Sequence, residues 1–279
     1  MRALLEEQYP EFANTSLTLI DSGWDNVTYR LGEEHAVRLP RREVAATLIE
    51  HEQRWLPELA PNLPLPVPAP VRTGHPGLGY PWAWSIVPWL EGETADLSPL
   101  AADQSSSLAK FLTALHRPAP NNAPANAVRG VPLQHRADAV NERLQRLRER
   151  SDLITPVVDA AWHEGLNAPP AQEARWLHGD FHPRNVLVSH GRLVGVIDWG
   201  DITSGDVATD LAGIWMLLPT KAARVAALSQ YGADEATVQR AMGWAVLFGA
   251  VLLDSGLVDN PRHAAIGATT LERISQDRG

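Results

Sequence analysis

The chain has 279 residues, of which 20% are charged and 44% hydrophobic, with a formal net charge of −9 and no cysteine. This composition is typical of a globular protein long enough for one large domain or two lobes, and the absence of cysteine excludes disulfides and thiolate zinc sites. The negative net charge argues against a general nucleic-acid-binding protein, which needs a basic face.

No segment near the N-terminus has the apolar core of a signal peptide, because acidic residues interrupt MRALLEEQYPEF. The longest apolar stretch, residues 241–253, is too short to span a bilayer. We therefore expect a cytoplasmic protein, a monomer or homodimer, without nucleic-acid or membrane partners.

The predicted elements divide the chain into a β-rich N-terminal part and a helical C-terminal part. In chain order they are strands at 17–20, 27–31 and 36–39, a helix at 43–56, the extended segment PNLPLPVPAPV, a strand in YPWAWSIVPWLEG, helices from about residue 97, a hairpin at 186–197, and helices from about residue 208. This order predicts an α+β fold with an N-lobe at 1–87, a linker at 88–92 and a helical C-lobe at 93–279.

One carboxylate falls on the apolar side of the helix predicted at 43–56. At about 100° per residue, Glu52 lies among Ile49, Trp55 and other apolar side chains, where an unpaired charge is costly. Arg38, on the strand before the helix, is the candidate partner. The pattern is compatible with a partly exposed Glu52, but it also predicts a buried pair that positions a cation for an anionic ligand.

Small residues connect the first two predicted strands in DSGWDNVTYRL. Ser22, Gly23, Asp25 and Asn26 are common turn residues, and one glycine is not a phosphate loop. The position of this turn, ahead of a strand that carries a cation, is where kinase-like lobes cover nucleotide phosphates with backbone amides.

The densest polar cluster is WLHGDFHPRNVLV, residues 176–188. One interpretation is a metal-dependent hydrolase with His178, Asp180 and His182 as ligands. Such sites draw further ligands from elsewhere, and the other histidines of this chain do not form ligand-like pairs. We read His116 and His263, among others, as helix-surface or turn positions.

A second interpretation is phosphoryl transfer, and it uses the following motif VGVIDWGD as well. A hairpin would bring Asp198 towards Asn185 and Asp180. A carboxylate and an amide oxygen suit Mg²⁺, and a second carboxylate can accept a hydroxyl proton. His178 and His182 would then brace the loop by hydrogen bonding.

The pairing of HGDFHPRN with IDWGD about a dozen residues later resembles the motifs of the aminoglycoside phosphotransferase-like kinases, a family related in fold to protein kinases and choline kinases. GDVATDLAGIW resembles the next landmark of that family, and SIVPWLEG resembles its nucleotide hinge. The resemblance covers roughly residues 17–218 and implies a bilobal protein-kinase-like fold.

The resemblance also implies a role for each matching residue. Asp180 is the expected catalytic base, and His178, His182 and Asp210 are expected to support its loop. The remaining expected roles are Mg²⁺ ligation by Asn185 and Asp198 and nucleotide binding by Ser22, Gly23, Asn26, Arg38, Glu52, Ser85 and Val87. Arg38 departs from the lysine usual in the family, although arginine keeps the charge. Asp201 and Asp206 could contact a cationic substrate or cap the next helix.

We therefore predict a Mg²⁺-dependent small-molecule kinase that transfers the γ-phosphoryl group of ATP or GTP to a substrate hydroxyl. The family suggests an aminoglycoside-type antibiotic as acceptor, with resistance as the outcome. A macrolide is an alternative, since VRLPRR and LFGAVLLDSGL look like macrolide phosphotransferases, and so is a metabolite such as an amino alcohol or a sugar. An inactive nucleotide-binding protein and a metal-dependent hydrolase are the alternatives of another class.

Overall fold

The computed structural model describes residues 1–23 and 25–278. These residues form two compact units: residues 1–91 with 195–202, and residues 92–194 with 203–278. Trp24, in the predicted phosphate-covering loop, lies outside the described residues.

The first unit is built on a five-stranded antiparallel sheet. Its elements are α1 (Arg2–Gln8), β1 (Leu17–Ser22), β2 (Asn26–Leu31), β3 (His35–Pro40), α2 (Glu43–Leu59), β4 (Arg72–Gly74) and β5 (Trp84–Pro88). The strand order is β1-β2-β3-β5-β4. Arg38 on β3 is opposite Thr28 on β2 and Ser85 on β5, so its backbone lies in the middle of the sheet.

The strands β1, β2, β3 and β5 and the helix α2 agree with the sequence prediction in position, but α1 was not predicted. Leu4 and Leu5 of α1 are buried in the apolar core of the first unit with Val37, Trp84 and Ile86. Seven residues are too few for a stable isolated helix, so burial against the sheet accounts for this one.

Helices dominate the second unit. Its elements are β6 (Glu93–Thr94), α3 (Ser105–Leu115), α4 (Ala137–Arg148), α5 (Pro156–Asn167), β7 (Arg175–Leu177), β8 (Val186–Ser189), β9 (Arg192–Val196), which continues into the first unit, β10 (Thr203–Gly205), α6 (Ala208–Leu211), α7 (Gly213–Leu217), α8 (Lys221–Tyr231), α9 (Glu235–Asp259) and α10 (Pro261–Arg278).

The helix α9 is the centre of this unit and packs against α4, α5, α6 and α10. The apolar stretch judged too short for a membrane span is the middle of this 25-residue helix, which is long and apolar enough to cross a bilayer. However, 72% of its most apolar window is buried inside the protein. The core of a water-soluble protein explains such a helix equally well.

Two small sheets contain the strands β7 and β8, which precede and follow the polar residues 178–185. One has the order β6-β8-β9, and the other pairs β7 with β10. The predicted hairpin between β8 and β9 is present: His190 and Gly191 at its tip have φ values of 50° and 75°, which a two-residue type I′ turn requires.

Candidate active site

The loop 178–185 connects β7 to β8 in the second unit, and Asp210 of α6 holds its backbone. The two carboxylate oxygens of Asp210 accept hydrogen bonds from the amides of His178, at 2.7 Å, and Gly179, at 2.9 Å. Asp210 is fully buried. Buried carboxylates need such donors, so the loop and α6 fix each other in place.

His116, just after α3, is a further part of this brace. Its Nε2 lies 3.2 Å from Asp210 Oδ2, and its Nδ1 lies 2.8 Å from the hydroxyl of Tyr231. The sequence interpretation of His116 as a surface or turn position was wrong, because the residue is only 2% exposed. Burial raises the pKa of Tyr231 well above its usual value, so its hydroxyl stays protonated.

Four polar side chains contact Asp180. Three of them come from its own loop, and the fourth comes from a distant segment of the chain. Asn185 Nδ2 donates to the backbone oxygen of Asp180 at 2.9 Å and to its Oδ2 at 3.3 Å. His182 Nε2 lies 3.1 Å from the same Oδ2, and its Nδ1 accepts from the amide of Arg184. Since Nδ1 accepts, the proton of neutral His182 is on Nε2, which donates to Asp180. His178 Nδ1 accepts from the amide of Asp180 at 3.3 Å.

The fourth side chain is Arg129, from the loop between α3 and α4, whose Nη2 donates to Asp180 Oδ1 at 2.8 Å. Burial favours the neutral acid, but His182, Arg129 and His178 outweigh it and hold the pKa of Asp180 well below its usual range. Asp180 is therefore ionised at neutral pH. Such a carboxylate can orient a hydroxyl by accepting its hydrogen bond. It can then receive the hydroxyl proton as the hydroxyl oxygen forms its new bond.

Asn185 has the chemistry of a ligand for a hard cation. Its amide nitrogen is engaged by Asp180, which leaves the amide oxygen as a donor to a metal. Within residues 1–23 and 25–278, no group of three or more histidine or acidic side chains is arranged to hold a metal ion. The histidines of this loop therefore lack the ligand set that the hydrolase interpretation needs.

In the first unit, Arg38 joins two carboxylates. Its Nη1 donates to Glu52 Oε2, and its Nη2 donates to Asp198 Oδ1 at 3.2 Å. The Glu52 side chain is 1% exposed, so the structure contains the buried pair and not the partly exposed glutamate. Burial by itself lowers the pKa of Arg38, but Glu52 and Asp198 together raise it.

The two carboxylates of this triad differ in environment. Burial raises the pKa of Glu52 to about 7 against the opposing charge of Arg38, and Glu52 Oε1 is buried without a partner among the described residues. Asp198 is 57% exposed and has a left-handed backbone with φ of 58°, which aspartate adopts more readily than most residues. Asp198 can therefore accept a further ligand while Glu52 fixes Arg38.

The predicted phosphate-covering turn is tied to the end of β3. Arg41 Nη1 donates to the oxygen of Gly23 at 2.8 Å, and Arg42 forms an ion pair with Asp25. Ser22 is exposed, whereas the side-chain oxygen of Asn26 is buried without a hydrogen-bond partner in the described part of the chain. The sequence analysis did not assign Arg41 and Arg42 to this turn, although VRLPRR places both directly after the end of β3.

The predicted hinge residues lie on β5. Ser85 is fully buried and its hydroxyl accepts from Gln53 Nε2 at 3.0 Å, while Val87 is buried opposite Ala36. Trp89, just beyond β5, lies under the guanidinium of Arg30 at 4.0 Å.

The structure distinguishes the two acidic residues offered as possible substrate contacts. Asp206 is buried, pairs with Arg240 over 2.7 Å and accepts from the amide of Ala208 at 3.1 Å. This environment favours the helix-capping alternative. Asp201 belongs to the first unit and is half-buried.

Comparison with known proteins gives three kinds of likeness. Residues 16–244 match the model of a family described as the phosphotransferase enzyme family. An aminoglycoside 3′-phosphotransferase of Escherichia coli is 28% identical over 143 residues, which cover 49% of this chain and 53% of that enzyme. The chain thus matches about half the length of this relative.

Solved structures are similar over nearly the whole chain. An APH(2″)-type enzyme, solved as its GDP and kanamycin complex, has a TM-score of 0.69 at 15% identity, covering 99% of this chain and 98% of that one. A macrolide 2′-phosphotransferase from Brachybacterium faecium has a TM-score of 0.64 at 22% identity, covering 97% and 98%. At these identities the likeness establishes a common kinase-like fold.

Proposed function

Because the chain belongs to the phosphotransferase enzyme family, we propose that it is a kinase that transfers the γ-phosphoryl group of a nucleoside triphosphate to a hydroxyl of a small molecule. The observation that carries the proposal is the environment of Asp180, an ionised carboxylate fixed by Asn185 and His182 in a loop that Asp210 braces. A base for a hydroxyl acceptor needs this fixed geometry more than it needs a high pKa, because phosphoryl transfer depends mainly on positioning and charge.

The chemistry proposed for each residue follows from its contacts. Asp180 accepts the hydrogen bond of the acceptor hydroxyl and then its proton. Arg38, held by Glu52, provides the positive charge for the nucleotide phosphates, and the turn with Ser22, Gly23 and Asn26 covers them with backbone amides.

Asn185 and Asp198 fit Mg²⁺ as an amide oxygen and an exposed carboxylate, the ligand types that this hard cation prefers. The ion, when bound with nucleotide, neutralises charge on the phosphate oxygens. Arg38 also donates to Asp198, so the cation proposed for the phosphates lies beside the carboxylate proposed for the ion.

The donor is ATP or GTP, and residues 88–92 are the proposed hinge for its base, with Ser85 and Val87 leading into it. Relatives with the same fold were solved with GDP and with ADP, which supports a nucleotide donor of either base. The relatives favour an aminoglycoside-type antibiotic or a macrolide as acceptor. A metabolite such as a sugar or an amino alcohol remains the alternative from the sequence. We propose a cytoplasmic location, where nucleoside triphosphates are available.

A coupled nucleotide-consumption assay tests the proposal. Purified protein is incubated with Mg²⁺ and either ATP or GTP against kanamycin, gentamicin, erythromycin, simple sugars and amino alcohols, and mass spectrometry detects acceptors that gain one phosphoryl group. Acceptor-dependent consumption with a phosphorylated product supports the kinase. Nucleotide binding without transfer to any acceptor would support an inactive nucleotide-binding protein instead.

A further inference from the structure

The turn after β1 is held on one side by the two arginines that follow β3. Arg41 Nη1 donates to the backbone oxygen of Gly23 at 2.8 Å and to that of Ser22 at 3.4 Å. The amide of Arg41 donates to the oxygen of Asp25 at 2.8 Å, and Arg42 Nε donates to Asp25 Oδ1 at 2.9 Å. All of these residues belong to the first unit. The turn proposed to cover the phosphates is therefore attached to the end of β3.

The two arginines bind the turn in different ways. Arg42 forms an exposed ion pair with Asp25, a type of contact that contributes little to stability. Arg41 has no carboxylate partner within residues 1–23 and 25–278, and its side chain donates only to main-chain oxygens. Arg41 therefore acts on the backbone of the turn, whereas Arg42 acts on a side chain.

The bond from Arg41 to Ser22 determines the direction of the next amide. A trans peptide group is planar, so its carbonyl and its N–H point in opposite directions. No peptide bond in the described part of the chain is cis. The carbonyl of Ser22 points to Arg41. The N–H of Gly23 belongs to the same peptide group, and it consequently points to the opposite side of the turn.

The β-sheet does not fix the backbone at this point. Ser22 opposite Val27 is the last pair between β1 and β2, so the pairing of these strands stops before Gly23. Glycine adopts more backbone conformations than other residues, and a peptide group next to it can therefore rotate at low cost. The bonds from Arg41 restrict this rotation and give the amide of Gly23 a defined direction.

Acidic side chains make the charge of Arg41 important at this turn. Asp21 and Asp25 lie on either side of Gly23 in the sequence, and a Cβ on Gly23 would lie only 3.1 Å from Asp21 Oδ2. Carboxylates beside a triphosphate repel it. Arg41 and Arg42 bring two positive charges to the same segment, which offset the two negative charges of Asp21 and Asp25.

We propose that Arg41 positions the phosphate-covering turn: it holds the carbonyls of Ser22 and Gly23 on one side, so that the amide of Gly23 faces the nucleotide phosphates on the other. This inference rests on the proposed kinase activity. Residues three apart on an extended chain lie on opposite faces, and Arg41 directly follows the strand that carries Arg38. The amide of Gly23 then shares a side of the sheet with Arg38, the cation proposed for the phosphates. Arg41 is a positioning residue and does not itself contact the nucleotide.

The first test measures nucleotide binding without turnover. Wild-type and Arg41→Met proteins are titrated by calorimetry with ATP, GTP, adenosine and guanosine, each in the presence of Mg²⁺. We expect Arg41→Met to weaken triphosphate binding by about tenfold, the size expected when a hydrogen bond to a charged group is lost. Nucleoside binding should not change, because a nucleoside has no phosphates for the turn to cover. In turnover, the same variant should raise the nucleotide KM and leave the acceptor KM unchanged.

A second measurement separates positioning from direct contact with the phosphates. Amide hydrogen exchange at Gly23, followed by NMR, should slow when a triphosphate binds the wild-type protein. At saturating nucleotide it should slow much less in Arg41→Met. Arg41→Lys keeps a donor and the charge and should recover part of the affinity. Arg72→Met is the matched control, since Arg72 is a half-exposed arginine of the first unit that also donates to a backbone oxygen.

Three results would overturn the inference. The first is an unchanged triphosphate affinity in Arg41→Met. The second is an equal loss of triphosphate and nucleoside affinity, which would indicate general damage to the first unit. The third is weaker triphosphate binding with wild-type protection of the Gly23 amide, which would make Arg41 a direct phosphate contact. All three leave the proposed kinase intact. Failure of the wild-type chain to bind ATP and GTP would overturn the proposed function, and this inference with it.

Discussion

Asp210 Oδ2 accepts a hydrogen bond from the amide of His178 at 2.7 Å, across 32 residues of sequence. The same oxygen lies 3.2 Å from His116 Nε2, and all three residues are buried. The carboxylate therefore couples the start of α6 to the loop that carries Asp180, and the position of the proposed base depends on a group that does not itself touch a substrate.

This coupling predicts that Asp210→Asn weakens both stability and transfer. The variant keeps one acceptor oxygen but sets an NH₂ group against an amide donor, and an unsatisfied buried donor costs about 1–3 kcal/mol. We expect a loss of this size in urea unfolding and a fall in kcat greater than any change in nucleotide KM. Hydrogen exchange should increase at the amides of His178 and Gly179; unchanged exchange there would contradict the brace.

Asp180→Ala should abolish acceptor phosphorylation and leave nucleotide affinity near the wild-type value. Positioned proton transfer contributes roughly 10²- to 10⁴-fold to rate, and the first-unit contacts of the nucleotide are unaffected. Single-turnover transfer and calorimetric nucleotide titration measure the two quantities. Asp152→Ala, at an exposed position, is the control. Substantial turnover by Asp180→Ala would show that another group is the base.

Arg38→Ala should raise the nucleotide KM, because it removes the cation proposed for the phosphates. It also leaves Glu52 buried without its partner, and breaking a buried pair costs about 3–5 kcal/mol. Arg38→Lys should recover much of the nucleotide affinity, since it restores a charge at this position of β3. Arg54→Ala, an exposed arginine on α2, controls for loss of charge. An unchanged KM in folded Arg38→Ala would show that Arg38 has only a structural role.

Glu52 should make the stability of the chain depend on pH. Burial raises the pKa of Glu52 from 4.5 to about 7, so the folded state binds this proton more tightly than the unfolded state. Its contribution is fully present below about pH 4.5 and is lost as the pH rises towards about 7. Relative to Glu52→Gln, wild-type unfolding free energy should therefore fall by about 3 kcal/mol across that window. Glu50→Gln, on the exposed side of α2, should show no such difference.

Asp206→Asn distinguishes the two roles that the sequence leaves open for Asp206, which are helix capping and contact with a cationic substrate. Since Asp206 is buried against Arg240, we expect the unfolding free energy to fall by about 3–5 kcal/mol while the acceptor KM of the folded enzyme is unchanged. A raised acceptor KM with wild-type stability would instead make Asp206 a substrate contact.

Local regularities explain which features could be predicted from the sequence. The position of Glu52 follows from helical periodicity, and its pairing with Arg38 follows because a short turn joins β3 directly to α2. The hairpin after Asn185 follows from two apolar strands around a turn with glycine. The motifs that carry Asp180, Asn185 and Asp198 are contiguous, so their residue types and spacing are visible without any structure.

Contacts between distant segments could not be predicted in the same way. Arg129 reaches Asp180 across 51 residues, His116 reaches Asp210 across 94, and Arg240 reaches Asp206 across 34. No periodicity connects such pairs, and each loop residue could equally have been solvated. His116 was misassigned for this reason, since the residues that bury it come from other helices.

The sequence by itself determined the positions of β1, β2, β3, β5 and α2, the inward carboxylate of α2 and the polar motifs of a phosphotransferase, because each depends on residues a few positions apart. Only the tertiary structure decided which carboxylates are paired with side chains or amides from other segments and which are exposed to solvent. Asp206, Asp254 and Asp180 are paired with arginines from other elements and Asp210 accepts from the amides of the 178–185 loop, while the side chain of Asp198 is 57% exposed. The charge that an acceptor meets is a sum over chain segments that only folding brings within a few ångströms of each other.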